Sequence, residues 1–143
     1  MKTIHKMIPL AVVVTFAFGS SAVRAQGLTE DQADVWHFAG NVTDFEDEDI
    51  EQIKVGNLAL AVYCAKGNFY ATQDLCTHER AYLSDGILID CIVECPFHQG
   101  RFDVRNGKAM SAPAFVSLKT YQLKIVDGKI YVNVPRADAE ADH

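Results

Sequence analysis

Positive charge is scarce in this chain. Lys and Arg number 13 against 19 Asp and Glu, for a formal net charge of −6. Residues 1–25 hold Lys2, Lys6 and Arg24 and no acid, so without those three cations the remainder stands at −9. A surface of that sign argues against nucleic acid as a partner. Internal repeats and low-complexity tracts are missing, which excludes solenoids and fibrous arrays. After the first thirty or so residues no helical periodicity outlasts about two turns, which excludes a helix bundle. The main apolar run, Met7 to Phe18, is short for the roughly 20 residues that span a bilayer. No Arg-Arg pair occurs anywhere in the chain.

What is present fits one small β domain. With 143 residues, 49% hydrophobic and 22% charged, the chain can bury one modest core. Short apolar segments alternate with turn signals: Leu58 to Tyr63, then Lys66-Gly67-Asn68; Phe69 to Thr72; Gly86 to Ile89, then Asp90-Cys91; Ile92 and Val93. Later come Arg105-Asn106-Gly107, a segment from Thr120 to Val126, the hairpin signal Asp127-Gly128, and Lys129 to Val134. Such spacing predicts an antiparallel all-β fold. Tyr121, Leu123 and Ile125 alternate with Gln122, Lys124 and Val126, which predicts a single strand with one buried face.

Two short motifs carry the chemistry, Cys76-Thr77-His78 and Cys95-Pro96-Phe97-His98, with residues 79–94 between them. Each offers one thiolate and one imidazole. A two-iron, two-sulfide cluster of mixed ligation takes two Cys on one iron and two His on the other, so two loops can each give one of each kind. Neutral imidazoles in place of thiolates make the cluster easier to reduce, so the His pair raises its potential. A structural zinc site uses the same four residues. Zinc fingers, however, pair Cys with Cys and His with His in each half, whereas both halves here are mixed.

Cys-x-His, a spacer and Cys-x-x-His, followed by Gln99-Gly100-Arg101-Phe102-Asp103, resemble the cluster-binding loops of Rieske proteins. The likeness is closest to soluble Rieske ferredoxins, in particular the ferredoxin component of aromatic-ring-hydroxylating dioxygenase systems. It runs from about Trp36 to about Val134, through Ala71-Thr72-Gln73-Asp74-Leu75 before the first loop and Asn106-Gly107-Lys108-Ala109 after the second. The resemblance implies a Rieske-type antiparallel β-sandwich over residues 34–135, with two cluster-binding loops at its tip and one [2Fe-2S] cluster. Cys76 and Cys95 would hold the inner iron, and His78 and His98 the outer one at the surface. Phe97, Gln99, Gly100 and Phe102 would shield the cluster, with packing in the core an equal reading for both aromatics. Pro96 stiffens the second loop, and Gly100 lets backbone come close. Residues 136–143 read as a disordered acidic tail.

The chain departs from the high-potential respiratory type, in which a Cys beside each loop forms a disulfide clamp and hydroxyls bond the cluster sulfurs. Glu79-Arg80-Ala81 follow His78 with no Cys, Phe97 lies between Pro96 and His98, and Gly100 and Phe102 stand where hydroxyls would be. Without those donors the potential is expected near the lower end of the Rieske range, around −150 mV. Too few residues follow Phe102 to build the mononuclear iron domain of a catalytic oxygenase subunit. The expected function is therefore electron transport from a reductase to a terminal oxygenase, not turnover of a substrate. The alternatives are a small electron-transfer subunit of another oxidoreductase and a redox-silent zinc module.

Asp44, Glu46, Asp47, Glu48, Asp49 and Glu51 crowd one short stretch. They read either as a solvated loop or as a patch that steers toward a basic docking face on a redox partner. Cys64 and Cys91 read as small buried hydrophobes, or as a disulfide if their Cα atoms lie within about 7 Å in an oxidising compartment. His5, His37 and His143 are scattered and form no second metal site. Residues 1–25 look like a secretory signal peptide: cations, an apolar run, then small residues and a cleavage site after Ala25. Export, to a periplasm for example, is the expectation. Similar ferredoxins are cytoplasmic, however, and folded cluster proteins usually leave by a twin-arginine route, so a cytoplasmic protein is the alternative. Membrane attachment would require that the leader stay uncleaved.

Overall fold

The computed structural model describes residues 34–141, and the leader read from residues 1–25 lies outside them. Three antiparallel sheets form the domain. The first joins β1 (Trp36–Asn41), β11 (Lys129–Asn133) and β10 (Leu123–Val126) in that order. The second runs β2 (Ile50–Val55), β3 (Leu58–Ala65), β4 (Asn68–Gln73), β9 (Thr120–Tyr121), and the third runs β5 (Ile87–Ile89), β6 (Ile92–Glu94), β7 (Arg101–Asp103), β8 (Ala109–Ser111). Among the described residues no helix is long and apolar enough to cross a membrane.

Turn chemistry sets these pairings. Lys66-Gly67 and Asp127-Gly128 both place two successive residues at positive φ, the two-residue hairpin whose twist matches that of the flanking strands. Asp103 organises the turn after β7: its carboxylate accepts Arg105 Nε–H at 2.9 Å and Nη2–H at 2.7 Å. The guanidinium beside it holds the Asp103 carboxyl below the ordinary carboxylate range.

β3 is buried almost throughout, because both of its faces are covered. Leu60 and Val62 enter a core with Tyr121, Ile130, Val132 and Val134. Ala61, Tyr63 and Ala65 enter the other core with Leu83, Leu88, Val93, Phe102 and Val104. The apolar run Leu-Ala-Leu-Ala-Val-Tyr-Cys-Ala is what a strand covered on both sides requires. Tyr63 brings a hydroxyl into that interior, where it meets Thr72 Oγ1 at 2.9 Å.

Two expectations change. The predicted strand from Thr120 to Val126 is two strands: Thr120 and Tyr121 pair with Thr72 and Ala71, whereas Leu123 to Val126 pair with β11. The chain changes sheet at Gln122, whose carbonyl accepts Asn133 N–H at 2.9 Å. Alternation across the break therefore marks no common buried face, and Ile125 is 51% exposed.

The expected disordered tail is an α-helix at Arg136–Glu140, α1. Its small Ala139 packs on the core beside Val55 and Leu58, and its carbonyl accepts Asn57 N–H at 2.8 Å. The approach is close enough that a Cβ on Gly56 would lie 2.3 Å from Ala139 O. Acidic composition masked this small apolar face.

Cys64 and Cys91 are both free and buried. Tyr63 and Ala65 share a core with Cys91, so Cys64, between them on β3, points to the other face. That alternation, rather than the compartment, keeps the two thiols apart.

Candidate metal centre

Each loop is pinched at its neck by backbone hydrogen bonds. The first leaves β4 and returns to a 3₁₀ turn at Leu83–Asp85. Leu83 N–H donates to Asp74 O at 2.8 Å, Leu75 and Tyr82 form a bridge, and Cys76 N–H donates to Ala81 O at 2.8 Å. The second joins β6 to β7 and closes through Cys95 N–H to Gly100 O at 2.8 Å and Gln99 N–H to Cys95 O at 3.1 Å. Gln99 takes a φ of 56° to make that tight return. Each neck holds a Cys, and each His lies further along the loop.

The result is a segregated donor set. Cys76 and Cys95 are buried, and both belong to the core cluster of Phe102 and Val93. His78 and His98 are exposed, their rings edge-to-face with centroids 5.1 Å apart. The two thiols lie within hydrogen-bonding reach of each other. Burial pushes the Cys95 thiol up and the nearby Cys76 adds to this, while backbone N–H groups of Phe97 and His98 favour the thiolate. Such donors are what a bound anionic sulfur needs.

This arrangement tests the fit of a metal group. A single tetrahedral zinc needs all four ligand atoms around one point. Among the described residues, the one group of three or more metal-ligating atoms within 4.8 Å of one another is His78, Glu79 and His98, without either Cys. Paired thiols inside and paired imidazoles outside instead suit two irons, one held by each pair. Glu79 Oε2 lies 3.6 Å from His98 Nδ1.

The expected shielding residues divide by depth. Phe102 is fully buried beneath the site, and Gly100 is buried with its absent Cβ only 3.1 Å from Ala114 Cβ. Phe97, 66% exposed, and Gln99 lie on the outside.

Sequence reasoning missed a third segment, residues 112–117 after β8. Ala114 covers Gly100, and the Val116 carbonyl accepts Thr77 Oγ1–H at 2.7 Å, so this segment braces both loops. It presents Phe115, 83% exposed, and Val116. The only available signal was three apolar residues after Pro113, outside any strand pattern.

The acidic run lies at the other end of the molecule. Lys66 N–H donates to Asp47 Oδ1 at 2.6 Å, Glu48 N–H to Cys64 O at 2.8 Å, and Asp90 N–H to Glu48 Oε1 at 3.0 Å. Those contacts are to the β3–β4 and β5–β6 turns, whereas the loops leave the opposite ends of β4 and β6. The length of β4 alone separates the two by about 20 Å.

An antiparallel β domain that presents paired thiols and imidazoles on two pinched loops defines an iron–sulfur electron-transfer module. Residues 35–122 match the Rieske [2Fe-2S] domain, and the chain belongs to that family. It is 40% identical over 99 residues to the ferredoxin component of the naphthalene 1,2-dioxygenase/salicylate 5-hydroxylase systems of a Ralstonia species, covering 69% of this chain and 95% of that one. It is 36% identical over 107 residues to the anthranilate 1,2-dioxygenase ferredoxin subunit of Burkholderia cepacia, covering 75% of this chain and 99% of that one. Among solved structures, the complex of reduced oxygenase and oxidized ferredoxin in carbazole 1,9a-dioxygenase contains a chain that matches with a TM-score of 0.68 at 37% identity. That match covers 71% of this chain and 94% of the other. These relatives are ferredoxin components rather than catalytic subunits. The chain is an electron-transfer protein whose cofactor is one Rieske cluster.

His98→Ala is expected to abolish the reduced-cluster electron paramagnetic resonance signal while the β-sheet circular dichroism is retained, because His98 is exposed and outside both cores. An unchanged signal would remove His98 from the ligand set.

Proposed function

We propose that this chain is a low-potential Rieske ferredoxin that carries single electrons from a reductase to the terminal oxygenase of an aromatic-ring dioxygenase system. Cys76 and Cys95 hold the inner iron, and His78 and His98 the outer one. The carrying observation is the segregation of buried, adjacent thiols from exposed, adjacent imidazoles. The bound cluster supplies a one-electron couple. The chain's own residues do the rest. The necks at Asp74–Leu83 and Cys95–Gly100 hold both loops in place, Phe102 closes the inner side to water, and the two imidazole edges give an electron a short exit.

The low potential follows from what faces the site. Gly100 and Phe102 offer no hydroxyl, and all four cysteines are free, so no disulfide clamp braces the loops. Hydrogen bonds to the sulfurs stabilise the more negative, reduced state, and their lack lowers the potential. A redox titration is expected to give a midpoint near −150 mV, and a value above about +100 mV would sink the ferredoxin assignment.

Partner contact is proposed at the rim of the tip, where Phe97, Phe115 and Val116 are exposed around the imidazoles. The acidic run at the far end contributes a long-range field, which a partner with a basic docking face meets on approach. Phe115→Asp, on the segment that braces the loops but outside the ligand set, should slow reduction of a terminal oxygenase by about tenfold, a cost of ~1.4 kcal/mol at the encounter. The midpoint should stay put, and unchanged kinetics would take Phe115 out of the contact surface.

Export is proposed from residues 1–25 alone, on their cations, apolar run and small-residue cleavage site. N-terminal sequencing of the natural protein should then read from Gln26 in an exported fraction. Retained leader residues in a cytoplasmic fraction would overturn it.

A further inference from the structure

Asp74 is fully buried, two residues before Cys76. Its Oδ1 accepts Ser84 N–H at 2.7 Å, and its Oδ2 accepts Gln52 Nε2–H at 2.6 Å and Ser84 Oγ–H at 2.8 Å. All three are donations to it, which is the pattern of an ionised, acceptor-only carboxylate. All three donors are also neutral. A negative charge thus sits inside the domain with hydrogen bonds but, among the described residues, no cation paired with it.

Part of its role is mechanical. Residues 74 and 84 are the two stems of the first loop, and the carboxylate ties them to each other and, through Gln52, to β2. Its backbone joins the same knot, as Asp74 N–H donates to Ala59 O at 3.0 Å and Asp74 O accepts Leu83 N–H. A neutral acceptor could make such a tie without the expense of burying a charge. The charge itself therefore asks for a second reason. Its field reaches the interior: the Tyr63 phenol, pushed up mainly by burial, is pushed up further by Asp74. An electron taken up by the bound cluster adds negative charge to the same domain, and the intervening protein screens the two charges poorly from one another.

We propose that Asp74 is a positioning residue whose buried, cation-free carboxylate holds the first loop and, through its charge, keeps the reduction potential of the bound cluster low. This rests on the reading that Cys76, His78, Cys95 and His98 hold that cluster. Two substitutions separate charge from shape. Asp74→Asn keeps the shape and removes the charge. Gln52→Lys leaves Asp74 intact and brings an ammonium where an amide now donates. Both are expected to raise the midpoint in a redox titration with the visible spectrum unchanged, while Ser84→Ala, which removes a hydrogen bond but no charge, leaves it close to that of the parent. Unmoved midpoints in Asp74→Asn and Gln52→Lys, with spectra intact, would overturn the inference. Should Asp74→Asn fail to fold, Gln52→Lys decides alone, since position 52 is exposed. A parent protein with no mixed-ligand cluster spectrum would instead overturn the functional reading, and this inference with it.

Discussion

Two thiols have to lie side by side away from water while two imidazoles, two or three residues further along each loop, stay in it. The rest of the fold can be derived from that requirement. A chain advances only about 3.3 Å per extended residue, so Cys-x-His and Cys-x-x-His cross from interior to solvent within a single loop turn. Backbone hydrogen bonds at each neck, Cys76 N–H to Ala81 O and Cys95 N–H to Gly100 O, fix where inside ends. With the necks set, side-chain chemistry has little left to specify. The Cys falls at the neck and is buried, and the His falls at the crest and is wet.

Pinched loops of this kind need a stiff base, and β3 provides it. Because both its faces are buried, the sheet that leads into the first loop and the sheet that bears the second share one strand's side chains as common packing surface. Ala61 and Ala65 keep that contact close, and Tyr63 fills the space between them. Rigid elements under short loops are what position donor atoms reproducibly. The third segment adds a lateral brace through Ala114 and the Val116 carbonyl, so neither loop depends on its own neck alone.

Legibility in the sequence followed the kind of interaction involved. The two Cys/His loops were readable because the chemistry demands particular side chains at particular spacing, and the hairpins were readable because Lys66-Gly67 and Asp127-Gly128 need positive φ. Contacts made by backbone or by methyl groups left no trace. The brace at Val116 uses a carbonyl that any residue has, and α1 docks through Ala139, which is indistinguishable in composition from a solvated tail. Gln122 hid a change of sheet because alternation continues across it in phase while the pairing partner changes. Position also escaped. The acids from Asp44 to Glu51 are conspicuous in the chain, but only the topology puts them at the end away from the imidazoles.

That separation of charge from exit bears on how a carrier works. A ferredoxin must bind a donor, leave it, bind an acceptor and leave again, so tight complexes would slow it. A small apolar patch such as the proposed contact rim of Phe97, Phe115 and Val116 suits weak and short-lived contact, whereas a dense charged face at the same point would give strong, salt-dependent contact. With the acids at the far end, net charge can serve solubility and approach without adding to the lifetime of the docked state. Among the described buried carboxylates, Asp74 is the one nearest in sequence to a proposed ligand. As proposed, affinity and potential fall to different residues, so that either can change without disturbing the other.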